Sequence, residues 1–398
     1  MQNIPASSEL RPANRLDGID LSEIVQISER AARLRAAGED IVTLSTGEPD
    51  LPTPDHIIEA ANTAARAGQT RYTATAGTPE LRNAVAQDAG VAMSDVMIST
   101  GAKQVIANAM LATLNAGDEV IMPAPFWTSY ADIVRLAGGV PVIVPCGMDT
   151  GFKLTPEALA AALTPRTRWL MLNSPSNPSG AVYAAEEIAA LATVLETQPG
   201  VMVLADEIYR ELCYLPFASF TDAAPDLRDR TLIVDGVSKA FSMTGWRIGW
   251  GIGPAALISA MIKVQGQVTS GACSVAQAAA LAAVTGDRSL LDTRRALFLK
   301  RRDTVVSGLN AVAGLTCPAP DGAFYAFPSC ADLLTDAGGP FVDDAALCAW
   351  LLDTAGVAIV PGRAFGLPGH LRLSFAYSDA DLSTALTRVT DALERKTQ

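Results

Sequence analysis

Val201-Met202-Val203-Leu204-Ala205-Asp206-Glu207 is an apolar run closed by two carboxylates. It is short, and polar and apolar residues do not alternate along it, which suits a strand buried on both faces. Comparable runs recur between residues 95 and 255: Asp95–Thr100, Glu119–Met122, Val140–Val144, Arg168–Asn173, Thr231–Asp235 and Ile248–Ile252. Segments with helical spacing lie between them, among them Lys103–Leu114 and Ala184–Glu196. This alternation predicts an α/β fold with a mainly parallel, seven-stranded sheet flanked by helices. Loops that carry chemistry then belong at the carboxyl ends of its strands.

Outside this core the texture changes. Leu21–Ala37 has helical spacing and stops at Gly38, and Ile41–Leu44 reads as a short strand. Beyond about residue 285 an arginine-rich helical stretch (Arg294, Arg295, Lys300, Arg301, Arg302) leads into short strand-like pieces at Gly322–Tyr325, Val357–Val360 and Leu371–Ser374. These imply a smaller α+β domain that includes the first helix. The expected division is an extended arm over 1–18, a large domain over 48–287, and a small domain built from 19–47 and 288–398.

Composition narrows the chemistry. The chain has 398 residues, a net charge of −12 and a pI near 4.7. An acidic protein is a poor nucleic-acid binder, whereas a local basic pocket for acidic small molecules stays open. The first residues carry neither a basic nor an apolar signal segment, and the longest small-apolar stretch, Ala272–Val284, is too short to span a bilayer. A cytoplasmic protein with no membrane partner is therefore expected. The six cysteines form no CxxC pair and are expected to be reduced and buried. Two histidines, His56 and His370, leave little for a zinc site or a Ser-His-Asp triad. No metal is expected, and the chemistry falls to carboxylates, Lys, Tyr and Arg.

Four segments could carry that chemistry. Ser238-Lys239-Ala240-Phe241-Ser242-Met243 runs on into Thr244-Gly245-Trp246-Arg247, in a chain with six lysines against twenty-four arginines. A lysine amine condenses with an aldehyde cofactor and an arginine does not. The strand ending at Asp206-Glu207 resembles a Walker B strand, but the chain has no Gly-Lys dipeptide and hence no Walker A loop. The other reading is a strand-end carboxylate that holds a cationic nitrogen, with Tyr209 a turn further on. Leu172–Gly180 follows another apolar strand and presents Asn177 between prolines. Ser99–Gln104 is a strand–turn–helix junction whose free N–H groups suit a phosphate. Gly249, Gly251 and Gly253 read as close-packing glycines within a strand.

Together these pieces resemble the class I pyridoxal-phosphate aminotransferases, and most of all the bacterial branch of the aspartate aminotransferases. The resemblance runs from about residue 20 to 385. It also takes in Gly47-Glu48-Pro49-Asp50, Tyr72 with Gly77–Arg82, and Leu371-Arg372-Leu373-Ser374-Phe375. It implies pyridoxal 5′-phosphate as cofactor, and amino acids and 2-oxo acids as substrates. Lys239 would bind the cofactor covalently and then move the proton at the substrate Cα. Asp206 would pair with the pyridine nitrogen, while Asn177 and Tyr209 would donate to the ring oxygen and Trp127 would stack on the ring. Ser238, Arg247 and the backbone of Gly101-Ala102-Lys103 would hold the phosphate, with Tyr72 reaching it from the other subunit of a homodimer. Arg372, helped by Gly47, would fork onto the α-carboxylate. Trp127 and Asn177 would border the substrate as well.

Two departures stand out. The family often has a serine three residues before the lysine, where this chain has Gly236. The stretch Gly18–Ile24 carries Asp20 and Glu23, which would repel a dicarboxylate if they faced the site, whereas Lys103 would attract one. Aspartate or glutamate is the expected donor. The alternatives are an arginine-like donor, a β-elimination or C–S lyase on the same fold, and a non-catalytic regulator with a fused DNA-binding domain, which the acidic charge and the roughly forty residues before the first strand disfavour.

Overall fold

The expected core strands all form, and they form a single sheet. In the computed structural model, which describes residues 12–397, the first eight strands are β1 (Val42–Thr43), β2 (Val96–Thr100), β3 (Glu119–Ala124), β4 (Val140–Pro145), β5 (Thr167–Asn173), β6 (Met202–Asp206), β7 (Thr231–Gly236) and β8 (Ile248–Ile252). The order in the large sheet is β2-β8-β7-β6-β5-β3-β4. Only β8 runs against its neighbours; the other pairings are parallel.

Both faces of the sheet are covered, as the apolar runs require. Along β5, Trp169 and Met171 enter a core with Val105, Met110 and Met261, from the helices Ala102–Thr113 and Ala255–Val268. Leu170 and Leu172 enter the opposite core with Leu191 and Leu195, from the helix Ala185–Glu196. Each fully buried side chain of this size contributes roughly 1.5–3 kcal/mol. The edge strand β4 departs from the pattern: Val140 is 45% exposed and Ile143 41%. With a neighbour on one side only, it is not enclosed as the central strands are.

The direction of β8 positions the site. Asn173 of β5 pairs with Asp206 of β6, and Asp206 pairs with Val234 of β7, so these strands end together. Because β8 is antiparallel, it begins at that same edge, with Gly236 opposite Gly249 and Thr100 opposite Ile248. Arg247, Gly101, Asp206 and the segment that leads to Lys239 therefore emerge side by side.

The remaining strands are β9 (Tyr325–Ala326), β10 (Val357–Ala358), β11 (Val360–Pro361) and β12 (Leu371–Ser374). β1 pairs with β10, and β11, β12 and β9 form a small antiparallel sheet. The arginine-rich stretch is the helix Leu290–Asn310. Its Arg294 donates to the carbonyls of Ala240 and Pro52 at 2.7 Å. Its Arg301 forks onto Asp50 at 2.8 and 2.9 Å and also reaches Asp379. Of the expected arm, residues 1–11 lie outside the described residues, and Asn14–Leu16 form one 3₁₀ turn in place of an extended run. Cys273 is exposed, contrary to expectation, and the other five cysteines are buried. Among the described residues no helix is long and apolar enough to cross a membrane.

Candidate active site

A cavity of about 300 Å³ opens at the shared strand edge. Its lining takes in every residue to which the family resemblance assigns a cofactor or substrate role except Gly101 and Tyr72. Gly101 lies at the rim, as the N-cap of the helix Ala102–Thr113, with φ +80°. A side chain there would meet the Arg247 guanidinium, whose Nη2 lies 2.5 Å from the position of a Cβ. A glycine cap leaves the first-turn N–H groups to an external acceptor, and the helix dipole favours an anion at this end. Tyr72 is 96% exposed and lies away from the cavity of its own chain.

Asp206 is buried at the end of β6. Its Oδ1 accepts from the Ile208 N–H at 3.2 Å and its Oδ2 from the Tyr130 hydroxyl at 2.6 Å. Burial raises its carboxyl to about 6, although Tyr130, Ile208 and the Lys239 charge oppose the shift. The Lys239 amine donates to the Gly47 carbonyl at 2.7 Å. Burial, together with the charges of Arg372 and Arg247, lowers it to about 8 against the pull of Glu48. Lys103 lies over the Trp127 ring, 4.8 Å from its centre, and burial and Arg247 lower its amine too.

Asn173 clips the neighbouring loop in place. Its amide donates to the Asp206 carbonyl at 2.9 Å and accepts from the Asn177 N–H at 2.8 Å. The Asn177 oxygen takes a bond from Arg372 Nη1 at 3.3 Å, so the amide nitrogen is the group left to donate into the cavity. Arg372 also donates to the Ser45 carbonyl, and its guanidinium lies over the rings of Tyr325 and Phe365, 4.9 and 5.0 Å from their centres. Its Nε is buried without a partner, which costs free energy until an anion arrives. Tyr209 shares a 2.7 Å hydrogen bond with Tyr325, and burial drives its hydroxyl far above the ordinary range. A Cβ at Gly47 would collide with the Tyr325 hydroxyl.

Two departures acquire causes here. Gly236 has no room for a side chain: a Cβ would come within 2.8 Å of the Gly249 Cα. Asp20 and Glu23 do not line the cavity; they border a separate groove, where Glu23 pairs with Arg363 at 3.1 Å. It is Ile24, one residue on, that faces the cavity. Sequence reasoning missed Tyr130, Tyr325, Asn173 and Ile24.

These residues fit a phosphorylated pyridine aldehyde, with an anion cradle beside Arg247, a buried acid for a ring nitrogen and an amine for the aldehyde. A model for the aminotransferase class I and II family matches residues 39–389. The chain belongs to this family. Its members use pyridoxal phosphate, and the chain is 48% identical to the aspartate aminotransferase of Rhizobium meliloti over 97% of each protein. It is 49% identical to the aspartate/prephenate aminotransferase of Cereibacter sphaeroides (strain ATCC 17029 / ATH 2.4.9), over 92% of this chain and 95% of that one. The crystal structure of the Rhizobium meliloti enzyme matches with a TM-score of 0.93 at 47% identity, covering 97% of this chain and all of the other. The Thermus thermophilus aspartate aminotransferase with maleate matches with a TM-score of 0.91 at 39% identity, again over 97% and 100%.

Proposed function

We propose that this aminotransferase moves the amino group of aspartate or glutamate to a 2-oxo acid by a ping-pong route, as a cytoplasmic homodimer. One observation carries the reading. A single cavity sets a lysine amine of lowered basicity beside three further cations: Arg247, which suits the phosphate, and Arg372 and Lys103, which match the two carboxylates of a dicarboxylic amino acid. The names of the relatives and the maleate of the Thermus structure, itself a dicarboxylate, agree with it.

In this reading the bound cofactor supplies an electron sink for the carbanion left when the Cα proton departs. The Lys239 amine would carry the proton to and from the substrate Cα. Asp206 faces the pyridine nitrogen, and Asn177 and Tyr209 donate to the ring oxygen. Trp127 covers the ring. Ser238, Arg247 and the N–H groups of Gly101-Ala102-Lys103 grip the phosphate, joined by Tyr72 from the second copy. Arg372 and the Gly47 backbone seat the α-carboxylate, and Lys103 takes the distal one. Residues 48–287 form the cofactor-bearing domain, and 19–47 with 288–398 the smaller one.

A panel of aspartate, glutamate, arginine, lysine and aromatic donors with a 2-oxo acid acceptor tests this. Turnover with aspartate and glutamate is expected; inert aspartate with reactive arginine overturns it. The apolar Ile24 in the cavity and the aspartate/prephenate relatives favour prephenate as a second acceptor, which the same panel checks.

A further inference from the structure

Tyr130 belongs to the helix Ser129–Leu136 and is 2% exposed. Its hydroxyl donates to Asp206 Oδ2 at 2.6 Å, and its ring meets Trp127 edge-on, with centres 5.4 Å apart at 87°. We propose that Tyr130 is a positioning residue that keeps Asp206 ionised and aimed into the cavity before the cofactor arrives, while its ring braces Trp127. This rests on Asp206 being the partner of the cofactor's ring nitrogen.

The physical problem is that Asp206 lies too deep to ionise easily. Burial favours its neutral form, and a neutral acid makes no ion pair with a cationic ring nitrogen. Three groups hold the charge in place, and Tyr130 contributes most, followed by the Ile208 N–H and the Lys239 amine. Tyr209 also faces Asp206, but its hydroxyl bonds to Tyr325. Tyr130 is a secure donor because burial and the Asp206 charge hold its own proton well above the ordinary phenol range. Each carboxylate oxygen thus has one fixed donor, Ile208 N–H on Oδ1 and Tyr130 on Oδ2, and these set the plane of the carboxylate. The helix that supplies Tyr130 begins two residues after Trp127, so one local element carries both the ring-covering tryptophan and the brace beneath the acid.

Tyr130→Phe removes the donor and leaves the ring against Trp127. The test measures pyridoxamine 5′-phosphate binding to the apoproteins by calorimetry, from about pH 5 to about pH 9. This probe has no aldehyde, so condensation with Lys239 plays no part. Wild-type affinity is expected to fall on the acid side as Asp206 takes up a proton. In Tyr130→Phe that limb should move up by about one to two pH units, and the two curves should converge above it. In Asp206→Asn the part of the limb set by this carboxyl should be lost, leaving only the loss near about pH 6 that the probe's phosphate gives in all three proteins. Weakening by the same factor at every pH, or no weakening, would overturn the role of Tyr130. Binding by Asp206→Asn that matches wild type throughout would overturn the reading of Asp206, and the inference with it.

Discussion

Lys239 and Arg372 are both cations in one cavity, yet their surroundings treat them differently. Lys239 loses basicity to burial and to its cationic neighbours, so near neutral pH part of it is free to accept a proton. Arg372 stays charged, because burial lowers a guanidinium from a value far above neutral. Its fork is the useful part: a lysine at 372 keeps the charge and loses the paired N–H groups. Arg372→Lys is expected to weaken dicarboxylate substrates by about 1.5–3 kcal/mol, roughly 10- to 150-fold in kcat/KM, measured by steady-state kinetics. Lys239, Asp206 and Asn177 were legible because each falls in a short run of unusual composition at or just past a strand end, whereas Arg372, inside β12, was singled out only through the family resemblance. Tyr130 was not, since Ser129–Leu136 reads as an ordinary amphipathic helix and its partner is 76 residues away. The Asp20 and Glu23 question shows the same limit. Sequence spacing predicted the helix, but which of Glu23 and Ile24 faces the cavity depends on the helix's rotation against its neighbours.

Among the elements, β8 decides most. Strand existence was readable from apolar runs, with ends displaced by a residue or two. Mainly parallel pairing was readable from the strand–helix alternation, but the strand order and the reversed direction of β8 were not, because a run of buried residues looks the same either way. The tight spacing of Gly249 follows from that direction: a Cβ there would run into the Ala102 backbone N–H, at the start of the helix proposed to hold the phosphate. Gly249→Ala is therefore expected to shift that helix terminus. It should cost about 1–3 kcal/mol of stability and weaken cofactor retention, checked by thermal melts and equilibrium dialysis. Normal retention would separate the helix terminus from phosphate binding.

Across the whole molecule, a second buried acid shapes the response to pH. Glu207 accepts from Ser219 and the Phe220 N–H through Oε1, while Oε2 is buried without a partner. Burial raises it from 4.5 to about 7. The folded chain then binds this proton more tightly than the unfolded one. The contribution of Glu207 is fully present below the unfolded value and declines as pH rises through the folded one. Glu207→Gln removes this slope, while any mismatch of its amide lowers stability equally at every pH. Between about pH 4.5 and about pH 7 the variant should gain on wild type by about 2–3 kcal/mol in chemical denaturation. A difference independent of pH would show that Glu207 titrates alike in the folded and unfolded chains and that burial does not raise its carboxyl.

The helix Leu290–Asn310 ties these scales together. Arg294 grips Pro52 and Ala240, and Arg301 grips Asp50 and Asp379. The segment that offers the Gly47 carbonyl and the segment that carries Lys239 therefore hang from one rod. The Gly47 segment and the lysine are thus tied to one frame, so the proposed substrate seat and the proposed proton carrier share a single mechanical reference.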